Sequence, residues 1–137
     1  MSSQRETVLA AVEALLVATL PGADVGRNRS FSTRIGVGGA VIMTDGDPGE
    51  PEVDLSPINY TYQHRIPLMF AAPDRSTLEA LFASLRTAVE ADRFLGGLCG
   101  WLETEAPQTD SLDGSGVEAQ AEASAAVVAE YSTPSPL

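Results

Sequence analysis

The chain has 137 residues, 44% of them apolar, which is the length of one domain and the composition of a globular one, so global disorder is excluded. Nineteen carboxylates stand against eight arginines and no lysine, for a formal charge of −11. That surface repels phosphate and disfavours sequence-neutral binding to nucleic acid, and the missing lysine removes Schiff-base and P-loop chemistry. One cysteine excludes an internal disulfide and any multi-cysteine metal site. The N-terminus lacks the pattern of a signal peptide, and no apolar run approaches the roughly 20 residues of a membrane span; synthesis in the cytoplasm, without a membrane partner, is the expectation.

Ser3-Gln4-Arg5-Glu6 has the form of a capping box, in which Ser3 accepts from the Glu6 N–H and Glu6 reaches back. Val8, Val12, Leu15 and Leu16 follow at helical spacing and Pro21-Gly22 ends the run, which predicts a helix over 4–19. Residues 21–36 read as a long polar loop. Gly38 to Thr44 reads as a short strand ending in the turn chemistry of Asp45-Gly46-Asp47-Pro48-Gly49. From Ile58 to Phe70 the pattern alternates, with Tyr60, Tyr62, His64, Ile66, Leu68 and Phe70 on one face. This predicts a half-buried strand with Pro67 at an edge position or a bulge.

Ser76-Thr77-Leu78-Glu79 repeats the capping-box form ahead of Leu78, Leu81, Leu85 and Val89, predicting a second helix over 76–92. Leu98 to Ala106 reads as a strand, then residues 107–116 as a polar loop. The stretch 118–132 is rich in alanine, a helix former, yet every odd position from Ala119 to Tyr131 is apolar and most even ones are polar. Period two decides for a long strand. The expected fold is therefore α+β: a mostly antiparallel four-stranded sheet with two main helices packed on it, in the order α-β-β-α-β-β. A single domain spans 1–132, and 133–137 form a flexible tail.

His64 and Cys99 are the one conceivable nucleophile–base pair, but neither lies in the local signature of a cysteine hydrolase. His64 reads as a structural histidine on an apolar strand face, and Cys99 as a small buried hydrophobe. Asp45, Asp47 and Glu50 lack the further ligands of a calcium loop, and Gly36-Val37-Gly38-Gly39 lacks dinucleotide-binding spacing. No catalytic, cofactor or metal site is expected. What remains is electrostatic. Arg27, Arg29 and Arg34 occupy one loop without an acid; Asp45, Asp47, Glu50, Glu52 and Asp54 occupy another without a base. They read either as two solvated loops or as complementary patches on neighbouring copies.

The opening Glu6-Thr7-Val8-Leu9-Ala10-Ala11-Val12 helix, the polar loop and short strand, the Asn59-to-Leu68 strand, the helix with Leu78, Leu81, Leu85 and Val89, and the long last strand after Asp110 to Gly114 together form a pattern over nearly the whole chain. In that order it resembles the tail terminator, or tail-completion, proteins of long-tailed phages with non-contractile tails and of gene transfer agents. The resemblance implies a structural protein, not an enzyme and without a cofactor. It implies a hexameric ring on the head-proximal end of the tail tube that ends tube polymerisation and joins the tail to the head connector or stopper. The implied partners are further copies of the chain, the tube protein and the connector, with DNA passing through the bore unbound; a carboxylate-lined bore suits that passage. The implied location is the host cytoplasm during assembly, then the tail-neck junction of the particle. The alternatives are another neck or tube component, and a small ligand-binding or enzymatic α+β domain.

Overall fold

A computed structural model describes residues 3–31, 34–109 and 121–137. The elements in chain order are α1 (Gln4–Thr19), β1 (Asp24–Arg27), β2 (Ala40–Met43), β3 (Glu52–Leu55), β4 (Ile58–Ala72), α2 (Arg75–Ala91), β5 (Trp101–Thr104) and β6 (Ala121–Thr133), with a 3-10 turn at Leu95–Gly97. The α+β class is as expected, but the sheet is larger and mixed: six strands in the order β1-β2-β4-β6-β5, with β3 also pairing β4. β1 runs parallel to β2 and the other pairings are antiparallel. Four strands were expected because β1 and β3 are four residues each, inside segments whose glycine, arginine and carboxylate content reads as loop. β1 forms because α1 returns the chain beside β2 and Val25 packs against the core; β3 forms because the chain folds back on β4 immediately after it.

The two longest strands, β4 and β6, pair over thirteen residues from Tyr60↔Thr133 to Ala72↔Ala121. The expected strand over 118–132 is thus found as Ala121–Thr133, its first three positions lying outside the described residues, as do residues 110–116 of the expected loop. Pairing explains why alanine does not make a helix here. Ala123, Ala125, Val127, Ala129 and Tyr131 lie in the same core as Tyr62, Ile66, Leu68 and Phe70 of β4. The small side chains of Ala123, Ala125 and Ala129 leave room for the two helices to approach the sheet.

α1 carries Val8, Leu9, Val12 and Leu16 into that core, and α2 carries Leu78, Leu81, Leu85 and Val89. Both helices cover one sheet face. Ser3 caps α1 as expected, accepting from the Glu6 N–H at 3.1 Å, but the Glu6 carboxylate is taken by Arg27 instead of reaching back. α2 begins one residue earlier than expected. Its N-cap is Asp74, whose carboxylate accepts from Thr77 N–H at 2.7 Å, so Ser76 is inside the helix and is not its cap. Pro67 sits in the middle of a central strand, opposite Ala126 of β6, and not at a sheet edge as expected. In an antiparallel ladder N–H and C=O of one residue face the same neighbour. The Pro67 carbonyl accepts from Thr44, just past the end of β2, so the missing N–H also faces Thr44, and the bond it would have returned is absent at the point where β2 stops.

Candidate assembly interface

Arg27 is on the helix-facing side of β1 and gathers an ion cluster. Its two terminal nitrogens donate to both oxygens of Glu6 at 2.8 Å, and its Nε donates to Asp45 at 2.8 Å. The bidentate geometry is the strong form of this contact. The guanidinium holds the Glu6 and Asp45 carboxyls below their usual ranges, and its own pKa is raised in return. Asp45 is fixed from two further sides: its N–H donates to Asn28 Oδ1, and its carbonyl accepts from His64 Nε2 at 2.6 Å. Asn28 takes a positive φ of 54° to make this turn, a conformation asparagine tolerates.

His64 is fully buried. With Nε2 donating to Asp45 O, Nδ1 is left to accept from the Tyr131 hydroxyl at 2.9 Å, so both ring nitrogens are satisfied by the neutral ring. Burial pushes its pKa down. Cys99 is buried too, and burial pushes its thiol up, away from a reactive thiolate. The two do not form a pair: His64 registers with Ala129 on β6, and Ala129 registers with Leu102 on β5, the strand after Cys99. Among the described residues no three His, Cys, Asp or Glu side chains are grouped to hold a metal ion, and no helix is long and apolar enough to cross a membrane.

Of the eight residues expected to form complementary patches, the fold joins Arg27 to Asp45 within one chain. Arg29 pairs with Asp24 at 2.8 Å. Asp47 Oδ1 accepts from Gly49 N–H in its own turn. Asp47, Glu50, Glu52 and Asp54 are exposed and in no ion pair among the described residues, as is Arg34 on the other loop.

The fold adds something that the charge pattern did not disclose. β2, the Asp47↔Arg65 bridge and β3 follow one another along the same side of β4, and the chain turns at Ser56-Pro57. β3 and the start of β4 are therefore a hairpin at one end of the sheet. Val53 registers with Tyr60 and Leu55 with Ile58, so these four side chains share a face, and it is the face that Tyr62, His64 and Ile66 present to the helices. The helix layer stops short of them. The first residues of α1, Ser3 to Arg5, lie beside Tyr62 and Tyr131. Beyond that point Val53 is 46% exposed, Leu55 78% and Ile58 48%. The hydrophobic face of the sheet thus continues past its own cover onto the β3–β4 hairpin, whose Tyr60 and Thr61 also pair with β6 and whose β3 edge has no further strand partner among the described residues. A second exposed cluster sits at the opposite sheet edge, where Phe94 meets Trp101 edge-on and Arg93 lies 4.7 Å over the indole.

No protein-family model matches this sequence, and no curated protein matches it either. Among solved structures, a chain described as the virion of a native gene transfer agent particle is similar over 88% of this chain and 86% of that chain, with 13% identity and a TM-score of 0.45.

Proposed function

We propose that this chain is a structural component of a phage-type particle that acts as a tail terminator: copies form a ring, hexameric in the assembled tail, on the head-proximal end of the tube. The observation that carries an assembly role is the uncovered hairpin. A contiguous exposed apolar face marks a contact with another protein. The order and pattern of elements noted in the sequence supports the narrower reading. In it the exposed carboxylates Asp47, Glu50, Glu52 and Asp54 and the exposed Arg34 belong to contacts between subunits or with partners, while Arg27, Arg29 and Asp45 shape the loops that carry them. The partners are the tube protein below and the head connector above. The role is geometric and non-catalytic, and a carboxylate-rich bore lets DNA pass without sticking.

The reading is tested by deleting the gene and imaging the particles. Heads and tubes should form separately, with tubes abnormally long or unjoined, and infection or gene transfer should fail. Normal joined tails in the deletion strain would overturn it.

A further inference from the structure

Among the described residues, β1, β3 and β5 each have one side without a strand partner. Such an edge presents unpaired N–H and C=O groups to any other chain. Two of these edges are closed by side chains. On β5, Arg93 donates to the Leu102 carbonyl at 3.0 Å and Glu103 accepts from the Thr104 N–H at 3.2 Å, while Arg93 also pairs with Glu103 and lies over the Trp101 ring. On β1, Arg29 folds across Gly26 to reach Asp24, and Arg27 is held on the other face by Glu6 and Asp45. β3 has no such cover. Among the described residues its backbone bonds only to β4, and all four of its residues are exposed.

The side chains of β3 sort by face. Val53 and Leu55 continue the apolar face beside Tyr60 and Ile58. Glu52 and Asp54 lie on the other face, where their neighbours are uncharged: Thr61 and Asn59 on β4, then Ser132 on β6. Arg5, beside Tyr62, and Arg65, which bridges to Asp47, are already engaged by Asp45 and by Glu105. The surface of α2 is different, because Glu79 and Glu90 each lie one helical turn from Arg75 and Arg86. The hairpin is therefore of one sign where α2 is mixed. At its tip Leu55, Ile58 and Pro134 line an open hollow of about 500 Å³.

We propose that the β3 edge takes up an extended strand of a partner protein in which apolar residues alternate with lysine or arginine. The backbone of that strand completes the open ladder. Its apolar residues sit beside Val53 and Leu55 and cover them, and its basic residues sit beside Glu52 and Asp54, since opposite charges on neighbouring strands attract and like charges repel. The same acids reject a second β3 paired antiparallel, which would set carboxylate against carboxylate. The other edge strands of this chain, Asp-Val-Gly-Arg and Trp-Leu-Glu-Thr, do not alternate apolar with basic residues. The contact rests on the assembly reading and adds to it the chemistry of the partner.

The probe is a blocked synthetic peptide of about eight residues, a typical strand length, alternating valine with lysine and added to the full-length chain. It should bind about ten-fold or more tightly than a peptide alternating valine with glutamate, and than one of its own composition with the valines grouped together. It should also slow amide hydrogen exchange at residues 52–55. The variant E52K/D54K, changed at two exposed positions, should reverse the preference toward the glutamate peptide. Equal binding of the grouped and alternating peptides, unchanged exchange at 52–55 or an unreversed preference would overturn the proposal. Protection of 52–55 by self-association of the chain alone would give the edge to a second copy and overturn it too. Failed tails in the deletion strain beside a chain that ignores the peptide would remove only this contact. A bound peptide beside normal tails in the deletion strain would remove only the tail reading.

Discussion

At the scale of single residues, the polar centre of the fold is His64 with Asp45, Arg27 and Tyr131. The native site favours the neutral imidazole, because burial opposes the charge and both nitrogens are already partnered. The nearest charges are mixed: Arg5 opposes protonation, while Asp45 and Asp47 favour it, and burial outweighs them. A lowered native pKa means that the unfolded chain takes up a proton first. The stability due to His64 is then fully present above about pH 6.5, the unfolded value, and is lost as pH falls from there toward the native value. The slope is at most about 1.4 kcal/mol per pH unit. Urea denaturation at pH 7.5 and pH 5.5 should show this loss, and His64→Gln, which still offers a donor to Asp45 O, should flatten it. An unchanged slope in the variant would assign the loss to other groups. Further acidification, below about pH 4, removes a second contribution as Glu6 and Asp45, both held low by Arg27, take up protons. The sequence placed His64 rightly on an apolar strand face. It could not disclose the partners, because Asp45, Tyr131 and Arg27 come from three other segments that only the closed sheet brings together.

Among elements, the start of α2 departs from the capping box expected at Ser76-Thr77-Leu78-Glu79. Its N-cap is Asp74, whose carboxylate holds Thr77 N–H and is itself held at a lowered pKa by that bond. Asp74→Ala should lower the urea midpoint at pH 7, whereas Ser76→Ala, inside the first turn, should leave it close to the parent's. Equal losses would show that the helix start is shared between them. The same contrast explains what was legible elsewhere. α1, α2, β4 and β6 each carry enough turns or alternations for their period to identify them, and β6 did so against the helix propensity of its alanines. β1 and β3 are too short to show a period, and their residues, Asp-Val-Gly-Arg and Glu-Val-Asp-Leu, owe strand geometry to the neighbour each one pairs with. Glu-Val-Asp-Leu does alternate, and with Ile58 just beyond the turn it was the available signal for an amphipathic hairpin; the run of acids around it hid that signal. The register that puts Val53 and Leu55 on the core face exists only once β3 is paired with β4.

For the molecule as a whole, the decisive separation is between the apolar surface that stabilises the fold and the apolar surface held in reserve for association. Val8, Leu9, Ile66, Phe70 and Leu102 are completely buried, and a large-to-small change at any of them costs about 2–5 kcal/mol of stability. Val53, Leu55 and Ile58 belong to the same sheet face by register but are about half or more exposed, so the folded monomer gains little from them. The triple change V53T/L55T/I58T places β-branched threonine, suited to a strand, at all three positions. It should therefore leave the urea midpoint of the monomer almost where it was, within about 0.5 kcal/mol for each position. Covering such side chains in an interface is another matter: full burial of one is worth about 1.5–3 kcal/mol relative to leaving it exposed. Even half of that, lost at three positions, weakens association by about ten-fold or more. The measurement is a pair of curves on one sample, urea denaturation for the fold and sedimentation or incorporation into particles for assembly. A large drop in the denaturation midpoint would show that the hairpin face belongs to the monomer's own core. Unchanged assembly would show that it covers nothing, and either result would remove the observation on which the assembly role is built.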